Sequence, residues 1–160
     1  MFRIFFIFFI LVFPLNSWAL IEVDITRGNL NPLPVAVSPL SIDENSRKNF
    51  EKILNNSDIG SEISAIVENN LKTSGLFNPL NKDAFLQAPD IANLKPRFED
   101  WSLIKAQALI TGKVNFIDKK LRVEFRLWDV LAGKEMMALA FTTVPTNWRR
   151  VGHIITDKVY

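Results

Sequence analysis

Three stretches, Ala106–Phe116 (AQALITGKVNF), Leu121–Asp129 (LRVEFRLWD) and Met136–Val144 (MMALAFTTV), decide the architecture of this chain. In the first, Ala108, Ile110, Gly112, Val114 and Phe116 alternate with Gln107, Leu109, Thr111, Lys113 and Asn115. In the second, Leu121, Val123, Phe125 and Leu127 alternate with Arg122, Glu124, Arg126 and Trp128. A period of two is the mark of a strand with unlike faces. The polar turns Asp118-Lys119-Lys120 and Ala132-Gly133-Lys134 separate the three, so they are expected to form an antiparallel meander.

Working outward toward the C-terminus, Pro145 breaks the last strand and Thr146 or Asn147 is placed to cap a helix. Its apolar face is Trp148, Val151, Ile155 and Val159, and the pattern still runs at Tyr160 with no stop signal, as if the chain were cut inside the helix. Toward the N-terminus, Phe98, Trp101 and Ile104 mark a short helix from about Phe98 to Lys105, and residues 87–97, with Pro89 and Pro96, read as loop. Leu76–Leu80 resembles a short edge strand. Before it lies the clearest helix, in which Ile59, Ile63, Ile66, Val67 and Leu71 share one face, Ser57 or Asp58 caps the start and Gly75 closes the end. Asp43–Asn56 is charged, with Phe50, Ile53 and Leu54 at helical spacing, and predicts a surface helix. Val35-Ala36-Val37 suits a strand buried on both faces of a partly parallel sheet. The sum is an α/β fold with a mixed sheet of about five strands, flanking helices, and a closing meander and helix.

The first nineteen residues, MFRIFFIFFILVFPLNSWA, place Arg3 before ten apolar residues, Ile4–Phe13, followed by a Pro-Leu-Asn break and small residues at Ser17 and Ala19. That is the order of a cleaved secretory signal peptide, with the cut between Ala19 and Leu20. The alternative, an uncleaved anchor, needs about 20 apolar residues, and Pro14 and Asn16 interrupt the run too early. No membrane span is expected after cleavage, and the location expected is outside the cytoplasm. Removing Arg3 lowers the formal charge from +2 to +1, and the remaining Lys and Arg are interspersed with acids, so nucleic acid is not an expected partner. With no cysteine, thiol chemistry and thiolate metal sites are excluded.

Little else in the sequence points to chemistry. His153, the only histidine, lies one helical turn from Asp157 and reads as a solvated pair; a metal needs three or four ligands and a triad needs a nucleophile. The glycines form no phosphate-binding loop. Trp101 and Trp148 read as core and Trp128 as part of a covered sheet face. Lys119, Lys120, Arg122 and Arg126 make one hairpin modestly basic. No catalytic residue, cofactor or metal is expected. The strongest feature is residues 20–26, LIEVDIT, in which Ile21, Val23 and Ile25 oppose Glu22, Asp24 and Thr26. Such a strand either adds to the sheet of another protein or packs as an edge strand of its own domain.

Several phrases carry a resemblance: VAVSPL at 35–40, EISAIVENNLKTSGLFNPLNK at 62–82, WSLIKAQALITGKV at 101–114, VEFRLWDVLAGKE at 123–135 and NWRRVGHIITDKVY at 147–160. Together, over roughly residues 20–160, they resemble the N-terminal domain of the TolB family, periplasmic components of the Tol-Pal system of Gram-negative bacteria. The resemblance implies an α/β domain, similar to the anticodon-binding fold of some tRNA synthetases, followed by a six-bladed β-propeller. It also implies a non-catalytic periplasmic adaptor that links TolA to the lipoprotein Pal during envelope constriction at division and in envelope integrity. In the family the C-terminal domain of TolA captures the mature N-terminus by strand pairing; carried over, that is Leu20, Ile21, Glu22, Val23, Asp24, Ile25 and Thr26. The expected division is a signal peptide at 1–19, a partner-binding strand and linker at 20–34, and the α/β domain at 35–160. Two departures stand out: the propeller that supplies the Pal-binding face is missing, so Pal is expected only where it is present, and the charged stretch near 45–56 is longer than the family suggests. The rival reading is a periplasmic ligand-binding domain or enzyme with His153, Asp157 and Trp128 around a pocket.

Overall fold

The computed structural model describes residues 31–160. In chain order the elements are β1 (Leu33–Val37), β2 (Ser41–Ile42), α1 (Glu44–Leu54), α2 (Ile59–Thr73), β3 (Phe77–Pro79), α3 (Pro89–Leu94), α4 (Phe98–Leu103), β4 (Ala108–Ile117), β5 (Lys120–Asp129), β6 (Lys134–Thr143) and α5 (Trp148–Val159). The expected α/β fold is present. Strand order is β3-β1-β4-β5-β6, with β2 also paired to β4. β1 runs parallel to both β3 and β4, as an apolar run buried on two faces should, and β4, β5 and β6 form the antiparallel meander. The sixth strand arises because β1 and β2 follow the same edge of β4, pairing Val35 with Ala108 and Ser41 with Lys113, and are separated at Pro39, which has no N–H to give the ladder. β1 begins at Leu33, inside the stretch read as linker.

One face of the sheet carries the main core. Alternation sends Ala108, Ile110 and Val114 of β4, and Leu121, Val123, Phe125 and Leu127 of β5, against Phe50 of α1, Ile59, Ile63, Val67 and Leu71 of α2, and Trp148, Val151 and Ile155 of α5. Each such side chain taken from water contributes about 1.5–3 kcal/mol. The two long helices approach closely at Gly152, where a Cβ would sit 2.8 Å from Ile66 Cγ2.

Polar groups fix this layer to the strands. Asp43 caps α1 by accepting from Ser46 N at 2.9 Å and from Ser46 Oγ at 2.6 Å, while Ser46 Oγ accepts from Phe116 N of β4 at 2.8 Å. The Asp43 carboxyl lies below its ordinary value, first because the Ser46 hydroxyl donates to it and then because the Ser46 backbone does. Ser64, buried on α2, accepts from Leu40 N at 2.9 Å and donates to Ser38 O at 3.1 Å, which holds the break between β1 and β2. α2 starts after Asp58 as expected, but the Asp58 side chain does not cap it; instead Asn56 Oδ1 accepts from Asp58 N.

The second face is covered by the segment between β3 and β4. Here the loop expected at 87–97 is corrected: Pro89–Leu94 is helical, because Pro89 occupies the first turn, where its missing N–H costs nothing. Two prolines, Pro89 and Pro96, bracket a helix of six residues and hide its period. Gln87 organises the segment, with Oε1 accepting from Trp101 Nε1 and Arg97 N, both at 3.0 Å, and Nε2 donating to Lys95 O at 3.2 Å. Trp101, Ala106, Leu109, Val130 and Ala36 form the smaller core beneath.

Candidate functional site

The expected binding strand, Leu20–Thr26, and the expected cut between Ala19 and Leu20 lie outside the described residues. The described chain begins beside them. Asn31 and Pro32 are exposed and lead into Leu33, the first residue of β1, at the end of the sheet where β4 starts and β5 ends. Leu33, Phe77, Ala108, Leu127, Leu131 and Met136 line a mostly apolar cavity of about 270 Å³ at that end. Any segment preceding Leu33 therefore joins the domain at its surface.

The rival constellation does not assemble. His153 is exposed on α5, and its Nδ1 lies 2.9 Å from Asn70 Nδ2 of α2, an amide that can only donate. Asn70 Nδ2 also reaches Thr156 Oγ1 at 3.3 Å, and Asn70 O accepts from Tyr160 Oη. The expected His153–Asp157 pairing is thus replaced by a contact across the helix seam, made possible by the close approach at Gly152. Trp128 is on the opposite face of the sheet: its Nε1 donates to Thr111 Oγ1 at 2.9 Å and its ring meets Phe98 edge to face. That is the covered position the sequence predicts. Trp101 and Trp148 are buried. Asn70 and Gln87 escaped the sequence reading because an isolated polar residue announces a partner only once the fold supplies one.

In the basic hairpin Arg122 and Arg126 are paired with acids, while Lys119 and Lys120 at its turn are exposed. Arg122 Nε lies 3.0 Å from Glu124, Lys113 Nζ 3.5 Å from it, and Arg126 pairs with Glu135 at 3.2 Å and donates to Asn93 O. Burial works to raise the Glu124 carboxyl, yet the Arg122 hydrogen bond and the Lys113 charge outweigh it and leave the group below its ordinary value. Among the described residues there is no cluster of three His, Asp or Glu side chains able to hold a metal, and no helix long and apolar enough to cross a membrane.

What the domain offers is surface. Among the described residues only β5 pairs with β6, which leaves the outer side of β6 at the sheet edge. Beside it, a groove of about 320 Å³ runs between β6 and α5, lined by Phe141, Thr143, Asn147, Arg150, Val151 and Ile154.

Comparison with known proteins agrees with the phrase-level resemblance. The TolB amino-terminal domain model matches residues 21–136. The Tol-Pal system protein TolB of Pelagibacter ubique (strain HTCC1062) is 79% identical over 158 residues, 99% of this chain and 35% of that protein. The chain therefore spans about a third of the length of that relative. Among solved structures, TolB from Acinetobacter baumannii superposes with a TM-score of 0.60 at 19% identity, over 81% of this chain and 27% of the other. The lipoprotein GNA1162 from Neisseria meningitidis gives 0.50 at 16% identity, over 80% and 94%, a likeness of fold alone.

Proposed function

The chain belongs to the TolB amino-terminal domain family, and from that premise we propose that it serves the Tol-Pal system as a non-catalytic periplasmic adaptor whose partner site is its own mature N-terminus. In this reading residues 1–19 are removed on export. Leu20–Thr26 then pairs as a strand with the C-terminal domain of TolA, residues 27–34 tether it, and residues 35–160 form the scaffold. A propeller beyond Tyr160 would supply the face for Pal, so that the longer protein links TolA to Pal during outer-membrane constriction at division.

The observation that carries the reading is the alternation of LIEVDIT just ahead of a domain whose first strand starts at the surface. A free strand with three apolar side chains on one side and two carboxylates on the other gains a ladder of backbone hydrogen bonds and one apolar face on joining a sheet. Ordering a tethered segment costs entropy, which sets the affinity at a modest level. Binding of a chain starting at Leu20 to the TolA C-terminal domain, followed by calorimetry, tests it. Deleting residues 20–26 should remove binding while the melting curve stays in place; unchanged affinity after the deletion would sink the proposal.

A further inference from the structure

The proposed function leaves the far edge of the sheet unused, and that edge differs from its counterpart. β3, at the opposite side, is three residues long and ends in Pro79, which blunts it against further pairing. β6 is ten residues long and contains no proline. Its guard is confined to one end: Lys134 and Glu135 are charged, and the register shifts opposite Leu127 and Trp128. From Met137 to Thr143 the strand pairs residue for residue with β5 on its inner side, and no charge or bulge protects its outer side. Seven residues span about 23 Å, as long as an ordinary strand.

We propose that the outer edge of β6 between Met137 and Thr143, together with the α5 groove, is a second docking surface that accepts one extended strand of another protein. That strand carries apolar side chains at alternate positions and a carboxylate near Arg150. The period of two forces the pattern. A strand laid along β6 turns every second side chain toward α5, where Phe141, Val151 and Ile154 line the groove and Leu139 is 36% exposed. The other side chains lie over Ala138, Ala140 and Thr142, which are small and exposed and obstruct nothing.

Charge selects the occupant. Arg150 lines the groove and is exposed, and none of the other lining residues is acidic. Arg149, its neighbour, is stacked on Trp148 at 4.1 Å. A carboxylate on the incoming strand gives Arg150 a counter-ion, which a second copy of this chain pairing through its own residues 137–143 cannot supply, since that stretch contains no acid. An acidic partner strand is therefore favoured over self-association.

A fluorescein-labelled nine-residue peptide with threonine at every second position and, on the intervening α5-facing positions, valines and one glutamate placed to meet Arg150 is a suitable probe, with anisotropy and amide hydrogen exchange as readouts. The full chain should bind it with protection confined to residues 137–143. Leu139→Lys, which puts a charge on the apolar α5-facing side where the added strand's valines pack, should weaken binding at least tenfold, and Arg150→Glu should reverse the preference toward the same peptide with lysine in place of glutamate. Both positions are at the surface, so unchanged melting curves report an intact fold. Equal binding of a peptide with its valines contiguous, protection elsewhere, or indifference to both substitutions would overturn the proposal. Dimer formation abolished by Leu139→Lys would assign the edge to a second copy instead. Peptide binding seen only after deletion of residues 20–26 would assign it to this chain's own N-terminal strand. Either result defeats the proposal while leaving the TolA reading to its own test.

Discussion

On one face of the sheet α1, α2 and α5 lay down long apolar stripes; on the other, α3 and α4, six residues each, are held over a smaller core by single polar contacts. The first cover is cooperative by repetition, since each side chain lost leaves many others in place around a cavity. The second depends on particular atoms. Gln87 alone satisfies Trp101 Nε1, Arg97 N and Lys95 O, and Trp128 is tied to Thr111. A layer built on stripes and a layer built on staples should fail in different ways.

The largest effect is expected on the striped face. Phe50 is fully buried among α1, α2 and the strands, and its ring meets Phe116 edge to face. Phe50→Ala should lower unfolding stability by about 3–5 kcal/mol in urea titration. The loss should appear as one global transition, and a separate early transition would break the picture of a single cooperative layer. On the stapled face, Gln87→Leu keeps the bulk but leaves donors unpaired, at about 1–3 kcal/mol for each that is buried. Hydrogen exchange should then accelerate across residues 87–105 while α2 and α5 keep their protection; uniform acceleration would erase the distinction between the faces.

The smallest effect belongs to the cap that ties α1 to β4. Asp43→Ala should cost about 1 kcal/mol near neutral pH. The Asp43 carboxyl is lowered in the folded protein from an ordinary value of 3.8, so its contribution is fully present above that value and is lost as the pH falls through the lower folded value. The gap between the parent and Asp43→Ala should therefore close in strong acid. A gap unchanged from neutral pH to below the carboxylate range would show that the charged form of Asp43 does no work.

Legibility in the sequence follows the same division. The stripes of α2 and α5 and the alternation of β4 and β5 repeat over ten residues or more, so period alone places them and their core faces. α3 spans less than two turns between Pro89 and Pro96, too short for a period to register, and the two-residue β2 exists only because β4 offers it an edge. At the level of sites, LIEVDIT shows its two faces directly. The β6 groove could not be read, because the strand's edge position is set by the crossover of β1 and its apolar wall comes from a helix that follows it. His153 illustrates the limit well: its neighbour in sequence is Asp157, but its partner in space is Asn70, chosen by the packing of two helices.

The parallel placement of β1 also sets a timetable. Val35 pairs with Ala108 and Leu33 with Phe77, so this inner strand of the sheet waits for residues made long after it. At ribosomal rates of roughly 5–20 residues per second, the separation of about 70 residues between Val35 and Ala108 amounts to several seconds. During that interval the early chain has helices to try and only the short β3 to pair with. A polypeptide so ordered completes its sheet only when its last third arrives.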